Sequence, residues 1–149
     1  MINGAGVHIK VNNFEKSLKF YTSLGFIKVF EYGPGKSVEE KYHGAVFEHG
    51  EFKLEIADGH RAVKPEVFNE QVKSSKISLM LYVGSLEEII KKCEKNKINI
   101  VVPPRHYYWG TLELVIKDPD GVVLVFIAPY NKLSADKIKA DESWANKRD

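Results

Sequence analysis

Apolar positions along this chain recur in two rhythms, and their alternation predicts the elements. From Gly6 to Phe26 the chain reads GVHIKVNNFEKSLKFYTSLGF. Val7, Ile9 and Val11 alternate with His8 and Lys10, the period-two pattern of a strand with one buried face. Asn12 and Asn13 break that pattern and can cap a helix, with Glu15 three residues after Asn12 in capping-box spacing. Phe14, Leu18 and Tyr21, joined by Phe20 and Leu24, follow at helical spacing. Gly25 ends the run where a left-handed cap is least strained. Phe26, Ile27 and Val29 begin a return strand.

The same rhythm returns 72 positions later. Ser78 to Val83 takes the place of Gly6 to Val11, and Ser85 is the new cap, with Glu88 completing Ser-x-x-Glu. Leu86, Ile89, Ile90 and Cys93 form the apolar helix face, and Ile98, Ile100 and Val102 alternate in the return strand. Strand, cap, helix and return strand all keep step, which predicts an internal duplication.

The stretches between fill in two βαβββ modules. Gly33 to Ser37 reads as a turn, followed by strands from Tyr42 to His49 and from Glu51 to Ala57, joined at Gly50. In the second of these, Phe52, Leu54 and Ile56 face one way and Glu51, Lys53 and Glu55 the other. The polar stretch from Asp58 to Lys76 contains Pro65 and reads as the linker, with a helical turn near Glu66 to Val72. Pro103 to Gly110 reads as a loop rich in aromatic rings. A last hairpin pairs Leu112–Lys117 with Val122–Ala128 through the turn Asp118-Pro119-Asp120-Gly121. The pattern predicts an α+β fold: one domain over residues 1–130, with modules at about 5–58 and 76–129 and a linker at 59–75. Residues 131–149 form a polar tail with a helix capped by Ser134 and running to about Trp144.

Composition narrows the function classes. At 149 residues, with 44% hydrophobic and 28% charged positions, the chain has the make-up of an ordinary soluble globular domain. A net charge of +2, evenly spread, argues against nucleic acid or an anionic membrane as partner. The longest apolar run, Val122 to Ala128, is too short to span a bilayer. No basic region followed by an apolar stretch opens the chain, so no secretory signal is expected. The single cysteine, Cys93, excludes an internal disulfide and fits a reducing cytoplasm. On the apolar face of its helix it reads as a buried structural residue rather than a reactive thiol. There is no Gly-rich phosphate loop after a strand and no Gly-x-Ser-x-Gly elbow.

The segment Val11-Asn12-Asn13-Phe14-Glu15-Lys16-Ser17-Leu18-Lys19-Phe20-Tyr21, then Leu24-Gly25-Phe26, Trp109-Gly110 and Asp118-Pro119-Asp120-Gly121, resembles the vicinal oxygen chelate superfamily. That superfamily includes glyoxalases, extradiol dioxygenases and bleomycin-resistance proteins. The resemblance covers almost the whole chain up to Pro129. It implies two βαβββ modules forming a curved mixed sheet around a concave cavity, with helices on the convex face. Its motifs are specific for fold and weak for chemistry.

Metal enzymes of the superfamily carry ligands at four strand positions, which fall here on Gly6, Glu55, Ser78 and Val125, or Phe126 with a shift of one. Of these only Glu55 is a good divalent-metal ligand, so no metal and no cofactor are expected. A rebuilt site would need His8, on the same strand face as Gly6, and a third ligand such as His49 or His106.

Strand parity sorts the remaining candidates. Val7, Ile9, Val11, Leu79, Leu81 and Val83 should pack on the helices. His8, Lys10, Lys53, Glu55, Ser78, Met80, Tyr82, Val123 and Val125 should face the concave side, covered by the loop from His106 to Trp109. His8, Glu55, Ser78, Met80, Tyr82, Tyr107 and Trp109 are the candidate ligand contacts, with Glu55 and His8 orienting a polar end and Tyr82 and Trp109 stacking on a flat portion. The plainer alternatives are that Met80, Tyr82, Val123 and Val125 fill an interior, that Lys53 or Lys10 neutralises Glu55, and that the aromatic loop packs a dimer interface. The expected function is metal-independent binding of a small molecule by a homodimer. The alternatives are a glyoxalase-like lyase, isomerase or dioxygenase built on His8 and Glu55, or a structural module whose cavity is closed by its own side chains.

Overall fold

Both repeats fold as strand, helix and three further strands, the order that their shared apolar phase requires. The computed structural model describes residues 1, 3–59 and 72–146. The chain divides into two compact units, Met1–Gln71 and Val72–Asp149.

The first unit contains β1 (Val7–Lys10), α1 (Phe14–Ser23), β2 (Lys28–Tyr32), β3 (Gly44–His49) and β4 (Phe52–Ala57). Its sheet has the order β1-β4-β3-β2, with β1 parallel to β4 and the other pairs antiparallel. Ile9, Ala45, Phe47, Leu54 and Ile56 are buried on one face, together with Phe14, Ser17 and Tyr21 of α1. Tyr21, Phe26 and Phe47 form a triangle of rings with centroids 5.2 to 5.9 Å apart.

Asn13, rather than Asn12, caps α1: its side chain accepts from Lys16 N at 3.0 Å. Glu15 is therefore not the partner in a capping box built on Asn12. At the other end Phe26 N donates to Tyr21 O (3.2 Å) and Gly25 N to Thr22 O (3.1 Å), with Gly25 at φ 99°. This is the Schellman arrangement, completed by the contact of the Phe26 ring with Tyr21.

The second unit contains β5 (Ser78–Tyr82), α2 (Leu86–Lys95), β6 (Ile100–Tyr107), β7 (Thr111–Lys117), β8 (Val123–Pro129) and α3 (Lys132–Lys137), then a 3-10 turn at Glu142–Trp144. Its sheet repeats the topology as β5-β8-β7-β6, with β5 parallel to β8. Leu79, Leu112, Leu114, Ile116, Leu124 and Phe126 are buried, as are Leu86, Ile89 and Cys93 of α2. Burial pushes the Cys93 thiol up and Glu94 adds to the shift, so this residue is a small apolar core group and not a nucleophile.

α2 ends like α1, with Ile98 N donating to Cys93 O (2.8 Å) and Lys97 N to Glu94 O (3.3 Å), but Lys97 stands at φ 56° where α1 has a glycine. A side chain in that region is strained against the following carbonyl. Lys97→Gly is expected to raise the unfolding free energy by roughly 0.5–1 kcal/mol. Urea unfolding reads this as a higher midpoint at unchanged slope; a lower midpoint would mean that flexibility gained by the unfolded chain outweighs the relieved strain.

Three expectations change. Pro103 to Tyr107 is not loop but the second half of β6, leaving only Tyr108 to Gly110 as the turn. Two prolines fit because β6 is an edge strand whose register slips between Val102 and Arg105. The tail helix is capped by Asn131, whose side chain accepts from Ser134 N at 3.1 Å, and it ends at Lys137. Beyond it the chain docks on the outer edge of β6: His106 N donates to Asp141 O (3.0 Å) and Asp141 N to Pro104 O (2.9 Å). The helical turn expected near Glu66 to Val72 lies, but for Val72, outside the described residues. Among the described residues no helix is long and apolar enough to cross a membrane.

Candidate functional site

The face of the first sheet opposite its core is where β1, β3 and β4 bring polar groups together. His8 on β1 and Val46 on β3 are the register partners of Glu55 on β4. Alternation turns all three away from the core that contains Leu54 and Ile56. His8 Nδ1 stands 3.9 Å from Glu55 Oε2, beyond hydrogen-bond length. The partner that holds the carboxylate is Tyr32, whose hydroxyl donates to Glu55 Oε1 at 3.1 Å. Burial, and after it the negative charge of Glu55, holds the Tyr32 phenol well above the ordinary tyrosine range, so it remains a proton-bearing donor.

Lys53, considered above as a neutralising partner, turns instead to Glu48, with Nζ 3.3 Å from Oε1. His43 Nδ1 lies 3.0 Å from Asp58 Oδ2 while its backbone N–H donates to Oδ1 (2.8 Å), and its ring stacks on Phe14. That pair closes the end of the core rather than joining Glu55.

In the second unit the open face carries rows set by register. Met80 pairs with Val125, which pairs with Val115; Tyr82 pairs with Ile127, which pairs with Glu113. Met80 and Tyr82 are 62% and 75% exposed, so they are not part of the second unit's own core. Tyr107 and Trp109 lie flat on each other, centroids 4.5 Å apart and planes 5° from parallel. Trp109 Nε1–H donates to Glu113 Oε2 at 2.8 Å and the Thr111 hydroxyl donates to the same oxygen at 2.5 Å. Arg105, opposite Glu113 in register, lays its guanidinium 4.5 Å from the Trp144 ring and donates to the Tyr107 hydroxyl at 3.4 Å. The face is aromatic and apolar, with one fixed carboxylate in it.

The structure thus brings His8 and Glu55 together in the first unit, and Met80 and Tyr82 on one face in the second. Tyr107 stacks with Trp109, and Ser78 is exposed at the start of β5. Tyr32, Arg105, Glu113 and Trp144 were not among the sequence candidates. Glu113 carried a signal, since it alternates with the buried Leu112 and Leu114; Tyr32 carried none that periodicity could use.

The four ligand positions implied by the resemblance do not fit a divalent metal. Gly6 and Val125 offer no side-chain donor and Ser78 offers a hydroxyl, which leaves Glu55, hydrogen-bonded to Tyr32, as the one carboxylate of the four. His49 cannot complete a set with Glu55, because alternation along β3 places it on the Phe47 side of the sheet. His106 belongs to the second unit, where Nδ1 is 2.6 Å from Glu142 Oε2 and the ring stacks on Tyr130. Among the described residues no group of three or more His, Cys, Asp or Glu side chains is arranged to hold a metal ion.

Comparison with known proteins agrees with this architecture. Residues 6–126 match the family described as Glyoxalase/Bleomycin resistance protein/Dioxygenase superfamily. The fold is similar to that of the bleomycin resistance determinant encoded on the transposon Tn5, with TM-score 0.57 and 22% identity over 87% of this chain and 100% of that one. It is also similar to a bleomycin-binding protein complexed with bleomycin, with TM-score 0.55 and 23% identity over 87% and 100% of the two chains. A mutant of the fosfomycin resistance protein FosX from Listeria monocytogenes, complexed with Mn(II) and 1S,2S-dihydroxypropylphosphonic acid, gives TM-score 0.68 at 12% identity over 89% and 96%. At these identities the likeness is one of fold. No curated protein matches the sequence.

Proposed function

The chain belongs to the Glyoxalase/Bleomycin resistance protein/Dioxygenase superfamily, and on that premise we propose that it binds a small molecule without the superfamily's metal. The observation that carries the reading is the state of Glu55. At the one ligand position with a metal-binding side chain, the carboxylate is held by a phenol instead. Further support comes from the exposed aromatic face of the second unit, an expensive surface to leave in water unless something covers it. A structural relative with the same fold is complexed with bleomycin, a small molecule. Two patches are the proposed contacts: His8 and Glu55 in the first unit, and Ser78, Met80, Tyr82, Tyr107 and Trp109 in the second. We also propose a homodimer, since Ile27, Val29 and Phe30 at the edge strand β2 present apolar surface that a second copy would cover.

Native mass spectrometry of protein purified without chelator tests metal, ligand and stoichiometry together. The expected result is a dimer with less than one divalent ion per chain, and a thermal midpoint unchanged by EDTA. One tightly held ion per chain that disappears in Glu55→Gln would instead favour an enzyme of the lyase, isomerase or dioxygenase kind. The approach of His8 to Glu55 is the observation on the side of that second reading.

The patches are tested separately with a binder found by thermal-shift screening. Glu55→Gln keeps the shape and removes the charge, and is expected to weaken binding about tenfold or more. Tyr82→Ala removes a stacking surface and should cost a similar factor. Unchanged affinity in both variants would place recognition elsewhere.

A further inference from the structure

Tyr32 reaches Glu55 by an unusual route. It sits at the end of the edge strand β2, paired with Gly44 of β3, while Glu55 lies one strand further in on β4. The ring crosses the sheet directly over Gly44. A Cβ built at that position would lie 2.0 Å from Tyr32 Cζ and 2.3 Å from its hydroxyl oxygen. Gly44 pairs in turn with Ala57, so next to the ring the row carries only a methyl group before it reaches Lys10 on β1. Glycine at position 44 is needed here for close approach and not for a special backbone angle.

We infer that Tyr32 takes, at Glu55, the place that a divalent cation takes in metal-dependent members of the superfamily, and that Gly44 is the residue that admits it. This rests on the metal-free reading above and deepens it by naming the group that keeps the cation out. A cation on Glu55 Oε1 has to compete with the phenol for that oxygen, where the phenol already makes a hydrogen bond to a charged acceptor. The substitution also changes what the site can recognise. A cation draws pairs of electron-rich oxygens from a ligand, whereas a carboxylate fixed by a phenol presents acceptor oxygens. It selects an N–H or O–H donor: an ammonium, an amide or a hydroxyl.

The test restores one missing ligand in the same unit and asks whether the phenol blocks it. Gly6→His returns the superfamily's first ligand position, and Mn(II) alone is the probe, followed by loss of the free-ion electron paramagnetic resonance signal. The Gly6→His chain is compared with Gly6→His/Tyr32→Phe, each beside a version with Glu55→Gln to subtract adventitious binding, and circular dichroism checks that all four are folded. Removing the hydroxyl is expected to raise Glu55-dependent Mn(II) association about tenfold or more. Gly44→Ala, which displaces the ring but keeps its hydroxyl, should act in the same direction when it replaces Tyr32→Phe. Equal association with and without the phenol overturns the inference, and so does the absence of Glu55-dependent uptake in both chains. Because only Mn(II) is used, the result stands whether or not the protein proves to bind an organic ligand.

Discussion

Replacing Gly121 by alanine is expected to lower stability by roughly 3–5 kcal/mol, among the larger effects a single methyl group can have. Gly121 closes the turn into β8 at φ 90°, and a Cβ there would lie 2.0 Å from the carbonyl oxygen of Val72. That obstacle is backbone, so no rotamer change relieves it. The segment after Val72 would have to shift, straining the bond from Ser75 N to Gly121 O (2.9 Å) and that from Val123 N to the Ser75 hydroxyl (3.0 Å). Gly50→Ala is the control: Gly50 also has positive φ, 59°, but nothing lies within 4 Å of the added carbon. It should cost only the conformational term, about 1 kcal/mol. Thermal unfolding should show a fall of roughly 10 °C for Gly121→Ala and a few degrees for Gly50→Ala. Equal shifts in the two variants would mean that the contact with Val72 contributes nothing.

Phe47→Ala should produce a loss of similar size, about 3–5 kcal/mol, for a different reason. Phe47 is buried in the first unit against Tyr21 and Phe26. Removing its ring deletes apolar contact and leaves a cavity that two neighbouring aromatic rings are too stiff to fill. Phe47→Leu retains most of the volume and should cost about 1–1.5 kcal/mol. Urea unfolding separates the two through the midpoint, with the slope unchanged if the native state keeps its compactness. A cost below 1 kcal/mol for alanine would show that the ring triangle collapses without penalty.

What the sequence determined by itself is the order of elements and the duplication, because these rest on local physics. Period two and period 3.6 can be read over a few residues, and caps and turns announce themselves by side-chain type. α1 and α2 span Phe14–Ser23 and Leu86–Lys95, at the offset of 72 residues that the patterns require. Alternation likewise set the open faces, putting His8 and Glu55 on one and Met80 and Tyr82 on the other.

Tertiary structure alone decided which groups meet. Tyr32 reaches Glu55 because of the register of three strands and the emptiness of Gly44, and neither is expressed in any local period. The aromatic stretch from Pro103 looked like loop because proline usually ends a strand; an edge position with slipped register tolerates it. The tail is polar in composition, yet Asp141 supplies the backbone partners that the outer edge of β6 lacks, and Trp144 gives Arg105 a ring to lie on. Backbone groups on an open edge must be satisfied by some segment of chain or by water. The segment that does so can lie anywhere along the sequence, which is why periodicity does not reveal it.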